Sequence, residues 1–419
     1  MPDKKGETGV ARAVNDFVRI IDGLSKTLTI SMGSLLEEDE EAHKKIDNYI
    51  EKYGLVREED GKKYFRIKSH EYCHDYNMLR ERLDRVHAAL PVLPRSLQVA
   101  LVSQYDAFLG NLLRSLINLR PELLKASGTT LTFAELTQFG SLDDARDFVL
   151  EKEIETMLRK SHADQFTFLE NKFDIELRKD LPEWPAFVEL TERRNLFVHA
   201  DGVVSNQYLA NCREHGVQLE KDARAGKQLD ISPEYFRTSY HTLYQIAVKL
   251  SQVLWRKVAP QEAENADSNL ADITFSLLRE RRYAVATVLL DFADTTLKKR
   301  HATERYRLMF LINRALAYRL QNEKGKCSEI LATQDWTATS DAYQLAELVL
   351  SEKWDSAANV MKKIGSSAYP HKADYLHWPL FTEFRKTEQF SSAFKAIFGD
   401  DTHDEQMPTA EPPKKATVQ

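Results

Sequence analysis

Residues 96–119 read SLQVALVSQYDAFLGNLLRSLINL. Wound as an α-helix, this run carries one broad apolar stripe, formed by Leu101, Tyr105, Phe108, Leu112 and Leu119. The same spacing of apolar residues dominates the rest of the chain, and few stretches alternate apolar with polar residues as strands do. The sequence therefore predicts an all-α fold, with a helical bundle, helical-hairpin repeats and small β-hairpins.

Composition and charge narrow the functional classes. The chain of 419 residues is long enough for two or three domains. It has no apolar run of about 18 residues, the length that suggests a membrane helix. Its N-terminus lacks the pattern of a secretory signal, and its three cysteines do not suit a disulfide framework. We therefore expect a cytoplasmic protein with no membrane contact. The net charge of −6 restricts any RNA contact to a local patch.

The N-terminal region, residues 1–93, has the least readable pattern. Apolar spacing predicts one amphipathic helix from Val14, Phe17, Ile20, Ile21 and Leu24, and a second near residues 46–53. Asp60-Gly61 is a typical turn signal and predicts a β-hairpin over 54–67. A third helix should begin near Ser69. The role of this region stays open.

Two prolines suggest where the N-terminal region ends. The helix that begins near Ser69 should run to about Ala89, and Pro91 and Pro94 should break it. A new helix should begin at Pro94 and end before Pro121. We expect this helix to open a helical bundle that extends over 94–258.

The bundle region contains further helix signals. A second long helix is expected from Leu142, with an end that the sequence leaves open near Leu169. Trp184-Pro185 should open a helix that Gly202 ends. A small hairpin is predicted over 216–232, and a closing helix over 233–258, capped by Ser232.

The remainder of the chain has a weak internal repeat. The polar segment 259–269 resembles a linker, and 400–419 should be a disordered tail. Between them, over 270–399, four similar segments start at Tyr283, Gly325, Trp354 and Phe390, and each has a small residue three positions later: Ala286, Ser328, Ala357 and Ala393. This pattern is similar to tetratricopeptide-like helical hairpins, which suggest a protein-binding surface.

One arginine–histidine pair stands out in the bundle region. Arg194-Asn-Leu-Phe-Val-His199 lies at the end of a predicted helix, directly before Ala-Asp-Gly. The same spacing occurs at Arg82 and His87, inside a charged helix where both side chains should simply face solvent. Asn195 and His199 are four residues apart and therefore share one helix face. The context, rather than the spacing, favours a functional role for the first pair.

The stretch ERRNLFVHADGVV, followed by Tyr208 and a further long helix, resembles the HEPN family of four-helix-bundle proteins. This resemblance covers about residues 94–258. It implies a homodimer in which the motifs of two protomers face each other and form one metal-independent endoribonuclease site, with no cofactor. Carried over to this chain, the site residues would be Arg194, Asn195 and His199.

These side chains suit RNA cleavage on chemical grounds. RNA supplies its own nucleophile, the 2′-hydroxyl, so the site needs a proton acceptor, a proton donor and a cation. Two copies of His199 could divide the acid and base roles, and Arg194 could neutralise the phosphorane. Asn195 would orient the histidine or the phosphate. Asp106, on an otherwise apolar helix flank, would be a catalytic-site partner for Arg194 or His199, or else an ordinary surface carboxylate.

The remaining candidate residues are basic or metal-binding types. Positive residues near the motif are candidate RNA contacts: Arg193, Arg213, Lys221, Arg224 and Lys227. Spacings that suggest zinc ligands occur at His70, Cys73 and His74, and at Cys212 and His215, but the two sets come from different predicted regions. We therefore predict no metal site.

Two functions follow from the sequence. The first is a dimeric endoribonuclease that the repeat region regulates, which suits a conditional toxin or an antiphage effector. The second is a non-catalytic HEPN-like dimer that acts as an adaptor and binds RNA or a protein through its helical repeats.

Overall fold

The computed structural model describes residues 8–59, 62–126, 130–219 and 223–399. The described chain is all-α apart from one β-hairpin, which confirms the predicted fold class. It divides into two compact units, Met1–Ala266 and Asp267–Gln419, called here the first and second units. No described helix has the length and apolar character that are needed to cross a membrane. The tail expected at 400–419 lies outside the described residues.

The first unit contains helices α1 to α8 and a β-hairpin. The helices are α1 (Gly9–Tyr53), α2 (His70–Leu119), α3 (Phe133–Leu136), α4 (Leu142–Leu158), α5 (His162–Phe173), α6 (Trp184–His199), α7 (Asn206–Glu214) and α8 (Pro233–Val258). The antiparallel strands β1 (Gly54–Glu59) and β2 (Lys62–Ile67) form the predicted N-terminal hairpin. The predicted start of α6 is confirmed, as are both ends of α8 and its Ser232 cap.

Two predictions for the N-terminal region are wrong. The two short helices expected there are one helix, α1, of 45 residues. The break expected at Pro91 and Pro94 does not occur, because α2 runs through both prolines to Leu119. A proline removes one hydrogen bond from a helix interior. The packing of α2 against α1 and α8 compensates for that loss.

The core of the first unit is built where the N-terminal half of α1 lies against α2. The Phe17 ring lies 4.8 Å from the Phe108 ring and 6.2 Å from the Tyr105 ring, measured between centroids. The apolar stripe predicted on α2 is buried, except that Leu119 at the helix end is 36% exposed. Residues of α1 therefore complete the bundle core that was expected to begin at Pro94.

The segments around α6 differ from the prediction in two ways. The long helix expected from Leu142 is two helices, α4 and α5, and Ser161 caps the second. The hairpin expected over 216–232 is absent from the described part of that segment. Instead, residues 226–229 pair with the chain that leaves α6: Leu229 N–H donates to Gly202 O and Val204 N–H donates to Lys227 O, both at 2.9 Å. The chain can turn sharply after α6 because Gly202 adopts a positive φ of 78°, which glycine accepts without strain.

The second unit is a series of helices. They are α9 (Ala263–Arg279), which begins just before the unit, α10 (Tyr283–Thr295), α11 (Glu304–Leu320), α12 (Lys324–Ala332), α13 (Asp341–Leu350), α14 (Trp354–Ile364), α15 (Lys372–His377) and α16 (Glu388–Phe398). The boundary between the two units falls within the predicted linker 259–269, but the segment is helical, because Ala263 already begins α9. Its polar residues are part of the structure: the fully buried Asp267 accepts from His301 Nδ1 at 2.8 Å and from Ala302 N–H at 2.7 Å.

Three helix-to-helix turns in the second unit have the same geometry. In each, a non-glycine residue with positive φ precedes the N-cap of the next helix: Arg281, Asn322 and Glu352. In each, the N-cap N–H donates to the carbonyl oxygen five residues earlier: Arg282 to Leu277, Glu323 to Tyr318 and Lys353 to Leu348. The first residues of the following helices are therefore equivalent: Tyr283, Lys324 and Trp354.

This shared turn corrects the repeat alignment. Gly325 is one position too late, and the buried small residue of α12 is Cys327, while Ser328 is exposed. Ala286 and Ala357 occupy the equivalent buried positions on α10 and α14. The residues that hold each helix against its partner therefore recur, although the spacing between repeats varies.

Replacement of Phe17 tests whether α1 belongs to the bundle core. Phe17→Ala should lower the free energy of unfolding of the first unit by about 3 to 5 kcal/mol, because a cavity replaces a buried ring. Ile20→Ala, on the same helix but 40% exposed, should change it by less than about 1 kcal/mol. Urea unfolding followed by circular dichroism measures both. Equal effects of the two substitutions would show that the N-terminal half of α1 is not part of that core.

Candidate functional site

The motif residues lie at the C-terminal end of α6. The helix ends at His199, and Ala200 N–H donates to Leu196 O at 2.8 Å. Arg95 of α2 fixes the chain that follows: its guanidinium contacts Asp201 at 3.3 Å and Asp230 at 2.5 Å. Contacts from a neighbouring helix therefore hold the turn that terminates the motif helix.

Asp106 connects three helices at the motif. Its Oδ2 accepts from Arg194 Nη2 at 2.5 Å, and its Oδ1 lies 2.9 Å from His162 Nε2. Arg194 Nη1 also donates to Asn195 Oδ1 at 3.1 Å. The expected pairing of Asp106 with Arg194 is thus observed, and the histidine beside Asp106 is His162 of α5 rather than His199. The carboxylate sets the direction of the Arg194 guanidinium.

Arg194, Asn195 and His199 line one cleft with a volume of about 560 Å³. Asp106 and His162 form its floor, with side chains that are 25% and 8% exposed. The His199 side chain is exposed at the end of α6, and its imidazole makes no hydrogen bond to the residues that the structure describes. The structure therefore gathers the four residues predicted as catalytic into one solvent-accessible site.

The other walls of the cleft come from residues that the sequence did not single out. Arg159 and Lys160, both exposed, lie in the turn between α4 and α5. On the opposite side, Asn211 of α7 donates to Glu192 Oε2 at 3.0 Å. One sequence signal for His162 existed, since Ser161 and Asp164 mark a helix start, and this places His162 at the first position of α5.

A second, buried polar cluster lies behind the motif. Glu189 of α6 accepts from Tyr208 Oη at 2.6 Å, from Tyr235 Oη at 2.5 Å and from Arg193 Nε at 2.7 Å. Burial first, and then the Glu189 carboxylate, raise the pKa of both tyrosine hydroxyls, so both stay protonated as donors. These hydrogen bonds hold α7 and α8 against α6.

Arg193 belongs to this cluster and not to the cleft. Its guanidinium lies 3.9 Å from the centroid of the Tyr235 ring, and its side chain is 14% exposed. Burial disfavours its charge, but the neighbouring Tyr235 and Glu189 outweigh that effect and raise the pKa of Arg193. The structure thus separates Arg193 from Arg194, its neighbour in sequence, and leaves Arg193 little surface for a phosphate.

The other predicted RNA contacts lie on the surface around α7. Arg213 and Arg224 are exposed, and Lys227 is half-buried. None of these three is among the residues that line the cleft, although α7, which carries Arg213, forms one of its walls. Lys221 lies outside the described residues.

The suspected zinc ligands are two sets, one at His70, Cys73 and His74 and the other at Cys212 and His215. Within residues 8–59, 62–126, 130–219 and 223–399, neither set belongs to a cluster of three metal-ligating atoms. Cys212 is fully buried, and burial raises the pKa of its thiol to about 12. A buried, protonated thiol is a poor zinc ligand, because the thiolate is the binding form.

The second unit has a groove of its own, with a volume of about 930 Å³. Apolar side chains from α9, α11 and the segment after α14 line much of it, including Phe275, Met309 and Tyr369. Two buried polar atoms in the groove lining, Asn313 Oδ1 and Trp378 Nε1, have no hydrogen-bond partner among the described residues. The groove therefore offers mainly apolar contact area, and two unsatisfied polar atoms are buried in its wall.

Comparison of the chain with protein-family models, with curated proteins and with solved structures finds no match.

Removal of the Glu189 charge tests the cluster behind the motif. Glu189→Gln leaves Arg193 without its counter-ion, and the free energy of unfolding should fall by about 3 kcal/mol. Glu192→Gln, one turn along the same helix and beside the cleft, should lower it by less than about 1 kcal/mol. Urea unfolding of both variants makes the comparison. Similar small losses would show that the Glu189 cluster does not hold α7 and α8 in place.

Proposed function

We propose that the chain is a metal-independent endoribonuclease that acts as a dimer and cleaves RNA by attack of the 2′-hydroxyl on the adjacent phosphate. One observation carries the proposal: a guanidinium, an amide and two imidazoles line the same cleft, with a carboxylate beneath them. In-line cleavage of RNA needs such a set: a cation, a hydrogen-bonding group and two groups that exchange protons.

Each cleft residue has a distinct part in the proposed reaction. Arg194 binds the scissile phosphate and stabilises the negative charge of the phosphorane. His199 is accessible, and it transfers a proton to or from the reacting oxygens. Asp106 is a positioning residue, since it touches Arg194 and not the substrate. The products are a 2′,3′-cyclic phosphate and a 5′-hydroxyl end, so the atoms balance without water or a metal.

His162 adds to the mechanism that the sequence suggested. A neutral His162 that donates its Nε2 proton to Asp106 keeps Nδ1 as an acceptor. Each protomer would then supply two imidazoles rather than one. We propose that His199 is the principal proton-transfer group, because it is exposed while His162 is almost fully buried.

The proposed dimer and RNA path rest on the surface around the motif. Val198, directly before His199, is 49% exposed and offers apolar contact area to a second protomer. Lys160 at the cleft edge, with Arg213, Arg224 and Lys227, would contact RNA phosphates away from the cleavage point. The resemblance of the motif to the HEPN family supports the same pairing of protomers, and it suggests a conditional toxin or antiphage effector.

The groove of the second unit supports a second candidate function. An adaptor would use it to bind an extended segment of a protein partner through the apolar side chains of the groove. This role is compatible with the nuclease, since partner binding could regulate it. Without cleavage, the adaptor role would stand alone.

Cleavage by the purified full-length chain tests the nuclease. His199→Ala should lower the rate on total tRNA and mRNA by about 100- to 10,000-fold, because a proton-transfer group is lost. His377→Ala, which removes an exposed histidine from the second unit, should cleave like the wild type. Cleavage is followed on gels in the presence of EDTA, with end-group analysis for the cyclic phosphate.

Two results would contradict the proposal. If His199→Ala cleaves at the wild-type rate, the motif is not the active site. If the wild type cleaves no RNA over a wide range of substrates and concentrations, the adaptor function replaces the nuclease function.

The specific activity should also fall on dilution, because dimers dissociate at low concentration. Analytical ultracentrifugation measures that dissociation.

A further inference from the structure

Three potential metal ligands meet between α1 and α2, away from the cleft. Asp39 and His43 lie on α1, and His87 lies on α2; one ligating atom from each residue can be chosen so that all three lie within 4.8 Å of one another. His87 Nε2 is 2.9 Å from Asp39 Oδ1. His43 Nδ1 is 3.5 Å from Asp39 Oδ2 and 2.9 Å from the backbone oxygen of Asp39. The two imidazole centroids are 5.5 Å apart. One potential ligand atom of each side chain thus lies near the other two.

The two helices hold this cluster in place from one side. Asp39 and His43 are four residues apart on α1, so they share one face. Directly beside them, Ala42, Ile46 and Leu83 form a buried apolar layer between the helices. The backbone positions of the cluster are therefore fixed by packing, and only side-chain rotation is needed to bring the ligands to a common ion.

The immediate charges favour a cation. Glu38, next to Asp39, pairs with Arg82, so the charge of that arginine is neutralised. Asp39 Oδ1 is buried, and its contact with His87 lacks hydrogen-bond geometry, so this oxygen has no hydrogen-bond partner among the described residues. A buried carboxylate oxygen without a donor is costly. A metal ion would satisfy it.

We propose that Asp39, His43 and His87 bind one divalent transition-metal ion, of which Zn²⁺ fits best, and that the ion fastens α1 to α2. Two imidazoles and one carboxylate are a common ligand set for Zn²⁺. The His43 and His87 side chains are 50% and 49% exposed, so an ion can enter without unfolding and can keep water as a further ligand. The site is independent of the nuclease cleft.

His87 of this site belongs to the Arg82–His87 pair, for which the sequence predicted no function. His87 was expected to face solvent as part of a charged helix, whereas it faces Asp39 and His43 of the other helix. The sequence could not pair them, because the residues are 44 and 48 positions apart along the chain and the α1–α2 register was unknown.

Metal titration of the metal-free full-length chain tests the site. Zn²⁺ in calorimetry, and Co²⁺ followed by visible absorption, should each bind with one equivalent per chain. His43→Ala and His87→Ala should each weaken binding at least about 100-fold, while circular dichroism stays unchanged. His74→Ala, another exposed histidine of α2, and His199→Ala in the cleft should both bind as the wild type does.

Added Zn²⁺ gives a second readout of the link between the helices. It should raise the melting temperature of the wild type and of His74→Ala, but not that of His87→Ala. The proposal is overturned if the chain binds neither ion, or if the one equivalent survives in both His43→Ala and His87→Ala. It is also overturned if binding is lost in His199→Ala instead, since this would place the ion in the cleft.

Discussion

The carboxylate of Asp106 is the constraint on which the site depends. It pairs with Arg194 of α6 and with His162 of α5, and so connects both helices to α2. A partly buried carboxylate without these partners would be destabilising, so the helices are held where the pairs can form. The same contacts aim a guanidinium into the cleft. The interaction that stabilises the helix arrangement therefore also positions the guanidinium that we propose to bind phosphate.

Residues on two sides of α6 have different roles as a result of this arrangement. Glu189 and Arg193 face a buried cluster with Tyr208 and Tyr235, while Arg194 and His199 face the cleft. Two adjacent arginines thus have different functions, one structural and one proposed to be catalytic. Helical geometry explains the difference, since neighbouring residues point about 100° apart around the axis.

The sequence predicted local features well and long-range ones poorly. The α8 helix, its Ser232 cap and the α6 start follow from patterns within a few residues, and the structure confirms them. The helix break predicted at Pro91 and Pro94 was wrong, because α1 and α8, which are far away in sequence, pack against α2 and stabilise it as a continuous helix. For the same reason His162 and Lys160 were missed: only the folded bundle brings the α4–α5 turn to the motif. Asp106 was predicted as a site residue because a carboxylate on an otherwise apolar helix flank needs a polar partner.

We propose that the cleft at the end of α6 binds the scissile phosphate of RNA. The most direct measurement is a crystal structure of the full chain with a short RNA whose 2′-hydroxyl is replaced by a 2′-methoxy group, which prevents cleavage. We expect a phosphate within hydrogen-bond distance of Arg194, with His199 beside the 2′-oxygen. RNA bound elsewhere, with the Arg194 cleft closed by other protein groups, would contradict it.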